Sequence, residues 1–243
     1  MELLVTASEA KRGIKDQALA ALRRFPPFSP ILNRLIASLG LEEISFARIA
    51  DLVENDAVLA GNVLGLVNSA LFGVRGTVHS IRHAVALLGI DKLRNAMLSL
   101  SVARTWGKLK APPGCSIRQF NLHSSGCAIL SDLLARHLGL DQTEDAFAAG
   151  LFHDLGLLLI AIGLPDEFRA ISLLCRDSGR PRTDCQREIL GFTSGELAAE
   201  ALELWNLPES ILTSVRFQDA PDLDPQAGGG VTLSRVLNSA HRY

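Results

Sequence analysis

The sequence predicts an all-α fold. Two observations carry that expectation. Of 243 residues, 42 are Leu and 29 are Ala, strong helix formers, whereas Val and Ile number only 12 and 14 and the single Tyr is the last residue. Apolar residues also recur at three- and four-residue spacing through most of the chain, the period of helices with one buried face. No segment reads more clearly as a strand than as a buried helix, so about twelve to fourteen short helices are expected.

The elements follow in order. A short N-terminal helix stops at FPPFSP (Phe25–Pro30). Ile31, Leu32, Leu35, Ile36 and Leu39 form the next stripe. Ile49, Leu52 and Val53 belong to a short helix, and Leu59, Val63, Leu64, Leu66 and Val67 to the one after it. Val85, Leu88, Leu93, Met97, Leu98 and Val102 continue the pattern past Gly89. KLKAPPGCS (Lys108–Ser116) then breaks it with two prolines and a glycine, which predicts one subdomain over residues 1–110 and another over 111–243. Ser116 with Gln119 and Thr193 with Glu196 have capping-box spacing. Pro165 and Pro208 precede acidic residues, as at helix starts. Asp219–Gly230 reads as a loop.

Charge supports the same division. The net charge is −2, too small to draw the chain globally to nucleic acid or membrane. Residues 1–110 hold 14 basic and 9 acidic residues, and residues 111–243 hold 10 and 17. The four cysteines, Cys115, Cys127, Cys175 and Cys185, make no CxxC, which argues against a zinc ribbon or thioredoxin-type site. Cys127, Cys175 and Cys185 read as small buried hydrophobes. The first residues lack an apolar signal core. The longest uncharged apolar run, Leu155–Leu164, is too short to span a bilayer. A cytoplasmic protein with reduced thiols and no membrane contact is expected.

The strongest chemical signal is AAGLFHDLGLLLI. His153 and Asp154 interrupt an apolar stretch, and a buried carboxylate requires a partner. Adjacent helical positions point about 100° apart, so both can serve one site only if the helix opens beside them. His123 lies in the preceding helical region. The bland alternative is a remnant pocket in which Asp154 bonds a histidine and locks the helices together. His79 and His83 share metal-site spacing, but with Arg82 between them they read as a solvated face. The segment Arg75–Lys110 carries seven basic residues, Arg82 and Arg94 among them, against Asp91 alone. It offers an anion-docking surface or, more simply, a neutralised helix face. SFARIADLVENDAVLAGNVLGLVN has a helix-turn-helix rhythm, but its second helix is too apolar to reach base edges, so no direct DNA binding is expected.

Several ordered motifs resemble the HDOD family, a regulatory branch related to the HD phosphohydrolases. They are FPPFSPILNRLIASL, SFARIADL, Asn68–Ser69, LLGIDKLRN (Leu87–Asn95), the His123 … His153–Asp154 arrangement and ILGFTSGELAAEALELWNLPESI (Ile189–Ile211). Ala57 departs from the family pattern, which commonly has proline after the residue matching Asp56. The resemblance covers roughly residues 20–218 and implies an HD-like helical bundle after residue 110. It implies a bacterial signal-transduction module that acts through a signalling protein partner, with a small nucleotide-like ligand held near His123, His153 and Asp154; Arg82 and Arg94 join the candidate ligand-binding residues on the charge of their segment. It also implies that His123, His153 and Asp154 are the residues that would hold a divalent metal. Further ligands of metal-binding relatives would fall at Ser194, near Phe217 and Gln218, and, as an aspartate, near His241. None of these keeps the expected residue, so the resemblance implies no resident cofactor and no hydrolase activity. The alternative is a metal-dependent phosphohydrolase.

Overall fold

A computed structural model describes residues 12–37, 39, 50, 51, 53, 54, 56–69, 76–140, 143–228 and 230–242. Among them every regular element is helical. The expected stripe residues Ile49 and Leu52 lie outside the described residues.

The chain divides into two units, residues 27–108 and residues 109–243 together with the first 26. Residues 1–26 thus group with the second unit, unlike the expected subdomain over residues 1–110. Helix α1, residues 12–20, and the 3-10 turn Ala21–Arg24 pack on the C-terminal unit. The reason is local. A Cβ on Gly163 would meet Ala18 and Ala21 at 3.0–3.2 Å, so the bare backbone there lets the segment lie close. Arg24 donates to the Ile162 carbonyl at 2.8 Å and Lys15 pairs with Glu200.

The 27–108 unit is built from α2 (Pro30–Ala37), α3 (Ala57–Val67), α4 (Ile81–Leu88) and α5 (Ile90–Trp106). Asp56 caps α3 by accepting from the Val58 and Leu59 amides, and Ser80 caps α4. Asn68 clamps the end of α3, its amide donating to the Val78 carbonyl and accepting from the Val78 N–H. Leu93, Met97, Leu98, Val102 and Trp106 of α5 are buried and form its core with Leu32, Leu35, Leu59 and Val63.

The second unit continues with α6 (Ile117–His137), α7 (Thr143–Phe152), α8 (Leu155–Gly163), α9 (Pro165–Ser178) and α10 (Arg182–Ile189). It ends with α11 (Ser194–Glu203), α12 (Glu209–Arg216) and α13 (Leu233–Arg242). Ser116 caps α6, and Thr193 with Glu196 forms a complete capping box on α11. The stretch Asp145–Gly163 is apolar enough to cross a bilayer by length and composition, yet 89% of it is buried inside the protein. It is the core of this unit, interrupted at the residues that matter most.

Candidate metal centre

Helix α7 ends at Phe152 and α8 begins at Leu155, so the chain leaves helical geometry at His153 and Asp154. Asp154 sits at φ −94°, ψ 8°, in the bridge region where site residues often lie. This is the opening that two adjacent ligands require. Two glycines make it close to its neighbours. A Cβ on Gly150 would stand 2.6 Å from Ala128 Cα, and one on Gly156 would collide with the Ser194 carbonyl oxygen. The first presses α7 onto α6 and the second presses α8 onto α11. The turn between them is thereby driven towards His123 and Cys127 of α6 and His241 of α13.

The donor atoms converge. His153 Nε2 lies 2.9 Å from His241 Nδ1 and 3.3 Å from His123 Nε2, and the latter two nitrogens are 3.3 Å apart. Asp154 Oδ2 is 3.4 Å from His153 Nε2 and 3.6 Å from His123 Nε2. Cys127 Sγ is 3.6 Å from His123 Nε2 and donates to the Ala240 carbonyl. The atoms of His123, Cys127, His153 and His241 all lie within 4.8 Å of one another.

These separations test the fit of a metal. Nitrogen and oxygen ligands about 2.0–2.1 Å from one tetrahedral ion stand about 3.3 Å from each other, close to the spacings observed. The orientation fits as well. His153 Nδ1 faces the Gly150 carbonyl at 2.7 Å, and a carbonyl oxygen only accepts, so Nδ1 carries the proton. In the neutral ring Nε2 is then a lone pair aimed at the other two imidazoles. Three imidazoles with a neighbouring thiol suit zinc, iron, cobalt or nickel, whereas magnesium and calcium prefer oxygen donors.

The electrostatics favour positive charge at this point. Burial opposes a charged His153, but Asp154 and Cys127 outweigh it and push the imidazole up to about 10. Burial likewise opposes a charged Asp154, and the histidines, His153 foremost, hold its carboxyl well below the usual range. Burial raises Cys127, but hydrogen bonds to His123, His153 and His241 bring the thiol down to about 5. His123 is raised, chiefly by its hydrogen bond to Cys127.

A cavity of about 300 Å³ opens beside the cluster, lined by Asp154, Arg182, Thr183, Gln186, Gln218, Asp219 and His241, among others. The Gln218 side chain donates to the His153 carbonyl at 3.0 Å, and its main-chain carbonyl accepts from Asn238 of α13. Gln186 accepts from the Ser194 amide at 2.9 Å. Each buried carboxamide is thus anchored at one end, while Gln218 Oε1 and Gln186 Nε2 have no partner among the described residues. Burial pushes the Asp219 carboxyl up.

The structure therefore brings together His123, His153 and Asp154. It also changes two expectations, those for His241 and Cys127. His241, where the resemblance places an aspartate, supplies a nitrogen instead, so that position is not lost as a ligand. Cys127 is not merely a buried hydrophobe. Within the 27–108 unit, Arg82 pairs with Asp51 and Glu54 on the surface, and buried Arg94 lies 3.8 Å from Asp91. The one signal that could have found Cys127 is its i+4 spacing from His123, which puts both on one helix face.

Comparison with known proteins agrees with the fold. The chain resembles an HDOD domain protein of unknown function from Geobacter sulfurreducens, with a TM-score of 0.80 and 24% identity over 96% of this chain and 78% of that one. It resembles a Shewanella amazonensis SB2B protein provisionally named a phosphohydrolase, with a TM-score of 0.75 and 26% identity over 93% and 79%. An uncharacterized protein of Treponema pallidum (strain Nichols) is 26% identical over 178 residues, 72% of this chain. The chain spans only 34% of that relative's length. The HDOD domain profile matches residues 25–221, which leaves His241 just beyond it. With that match over most of its length, the chain belongs to the HDOD domain family.

Proposed function

We propose that the chain is a signal-transduction HDOD module with a centre for one first-row transition metal at His123, His153, Asp154 and His241. A phosphate-bearing, nucleotide-like ligand occupies the adjoining cavity, and a signalling protein partner reads the liganded state. The observation that carries this reading is the convergence of three imidazole nitrogens and one carboxylate oxygen at separations of 2.9–3.6 Å.

When bound, the metal would supply Lewis acidity to a phosphoryl oxygen or to water. The remaining work falls to side chains of this chain. Gly150 fixes the His153 tautomer through its carbonyl. Gln218 holds the His153 backbone. Gln186 Nε2 offers a buried donor, and Arg182 supplies positive charge at the start of α10. These donors suit phosphate oxygens.

Calorimetric titration of metal-free protein tests the centre. One Zn²⁺ or Co²⁺ per chain is expected, with no comparable Mg²⁺ binding, and absence of any transition-metal binding overturns the reading. A nucleotide that raises the melting temperature only when metal is present would support the ligand assignment.

A second reading, phosphoester hydrolysis, is favoured by Asp219, a carboxylic acid that lines the cavity beside Asp154 and His241 and could transfer a proton there. It requires turnover of a model phosphodiester by metal-loaded protein, lost in Asp219→Asn with metal binding retained. No turnover with any first-row metal leaves the regulatory reading.

A further inference from the structure

The outer face of α6 has the wrong chemistry for solvent. Its inner face buries Phe120, Ser124, Cys127, Ala128, Ser131 and Ala135. The opposite face of such a helix is ordinarily polar. Here it presents Leu122, Ile129 and Leu133 at 63%, 52% and 58% exposure. With Gly126 these residues recur at intervals of four, three and four, which keeps them in one narrow stripe and is the seam spacing of paired helices.

We propose that this stripe joins the chain to a second copy of itself, with the two α6 helices antiparallel. The sequence is self-complementary in that direction. A twofold axis midway between Gly126 and Ile129 sets Leu122 against Leu133 of the second copy. The same axis sets Ile129 against Gly126. A Cβ on Gly126 would meet nothing within 4 Å among the described residues, so the glycine leaves a notch that the facing isoleucine fills. Parallel pairing would instead face glycine with glycine and leave that notch empty.

Area and charge agree. The three exposed side chains present roughly 300–400 Å² of apolar surface per copy, the size at which a surface patch is commonly functional. That is about half of what each partner buries in a standard interface, before any rim is counted. Beside the seam, Asp132 accepts from Arg136 through both oxygens at 3.0 Å, so the arginine brings little unbalanced charge to the contact. Because His123 and Cys127 lie on the same helix, pairing through α6 links the metal centres of the two copies by one rigid element.

Sedimentation of the full chain over a micromolar concentration series tests this. A reversible dimer is expected. Ile129→Glu should weaken it by about a hundredfold or more, as burial of an unpaired charge at an interface centre does. Gly126→Leu should weaken it comparably by filling the notch, while raising the melting temperature, since leucine favours helix far more than glycine. That opposite movement separates a lost interface from a lost fold. Leu204→Glu, at a residue 64% exposed on another helix, should leave the dimer intact. A monomeric wild type, or a dimer that survives both α6 substitutions, overturns the pairing.

Discussion

At the first turn of α13, Asp224 accepts from the Ser234 hydroxyl at 2.6 Å and from the Gln226 amide at 2.9 Å, and the Ser234 and Thr232 hydroxyls pair at 2.7 Å. At its last turn, His241 meets His123 and His153 at 3.3 and 2.9 Å. Both are compact polar clusters that tie the same helix to the same unit, but their donors and acceptors balance differently. The Asp224 carboxylate has a donor at each oxygen, so that cluster is closed and needs nothing from outside. The histidine cluster aims three ring nitrogens at one another beside a carboxylate. Protons or a metal ion must come between them. A satisfied polar network is structural, and an unsatisfied convergence of like atoms is a binding site.

The largest effect expected from breaking this contrast is at His241. His241→Ala should lower transition-metal affinity by about a thousandfold, near 4 kcal/mol, and abolish the rise in melting temperature that metal gives the wild type. Calorimetry and thermal melts in matched metal concentrations measure both. Asp224→Ala comes next. It should cost about 2–3 kcal/mol of stability in urea unfolding, because it leaves a buried hydroxyl and an amide without their acceptor, while metal affinity stays unchanged. Should Asp224→Ala strip the metal as His241→Ala does, the two ends of α13 are one network and the contrast fails.

The fold was legible because helix signals are local. Leu and Ala content, the Pro-Gly break at Pro112–Gly114 and the Thr193–Glu196 box act within a few residues of themselves. The place of residues 12–24 was not, since the contact that holds them is the bare backbone of Gly163, far along the chain. The site divides similarly. His153 and Asp154 stand out as polar residues in an apolar run, and the motif resemblance adds His123. His241 lies 88 positions from His153 in a helix with no motif of its own. Only the packing of α13 reveals it. Arg82 and Arg94 show the limit of charge density along the chain, which offers both a ligand surface and a neutralised helix face. The folded chain gives Arg82 the carboxylates of Asp51 and Glu54 and buries Arg94 near Asp91.

A smaller effect sharpens the comparison through pH. In the metal-free centre His153 is raised to about 10 from its ordinary 6.5, so the stability it contributes is full below about 6.5 and is lost as pH rises through about 10. Asp154 is depressed, so its contribution holds above the ordinary carboxylate value and is lost as pH falls through its lower native value. Metal and proton compete for His153 Nε2. Metal affinity should therefore rise about tenfold per pH unit, or more steeply, between neutral pH and about 9. The closed cluster at Asp224 should contribute nothing to that slope. Competition titrations at several pH values measure it, and a flat profile would show that no proton leaves the centre on binding.

The smallest effect concerns Gln218, which supports the centre without offering it a ligand atom. Its Nε2 donates to the His153 carbonyl, and its main-chain carbonyl accepts from Asn238, so residue 218 joins the His153 turn to α13. In Gln218→Leu the shape of the side chain is nearly kept, but the buried His153 carbonyl loses its donor. The turn then keeps its contact with the Gly150 carbonyl but loses its link to residue 218. A loss of about tenfold in metal affinity is expected, the range typical of groups that orient ligands, with unfolding stability lowered by about 1–2 kcal/mol. Gln218→Glu separates the two roles of the side chain. It keeps the size but replaces the donor with a carboxylate at the edge of the cavity. Were Gln218 only a packing element, Glu would be tolerated no better than Leu. As a near neighbour of the metal centre, it should instead bind metal more tightly than Leu does despite an equal or larger loss of stability in the metal-free protein.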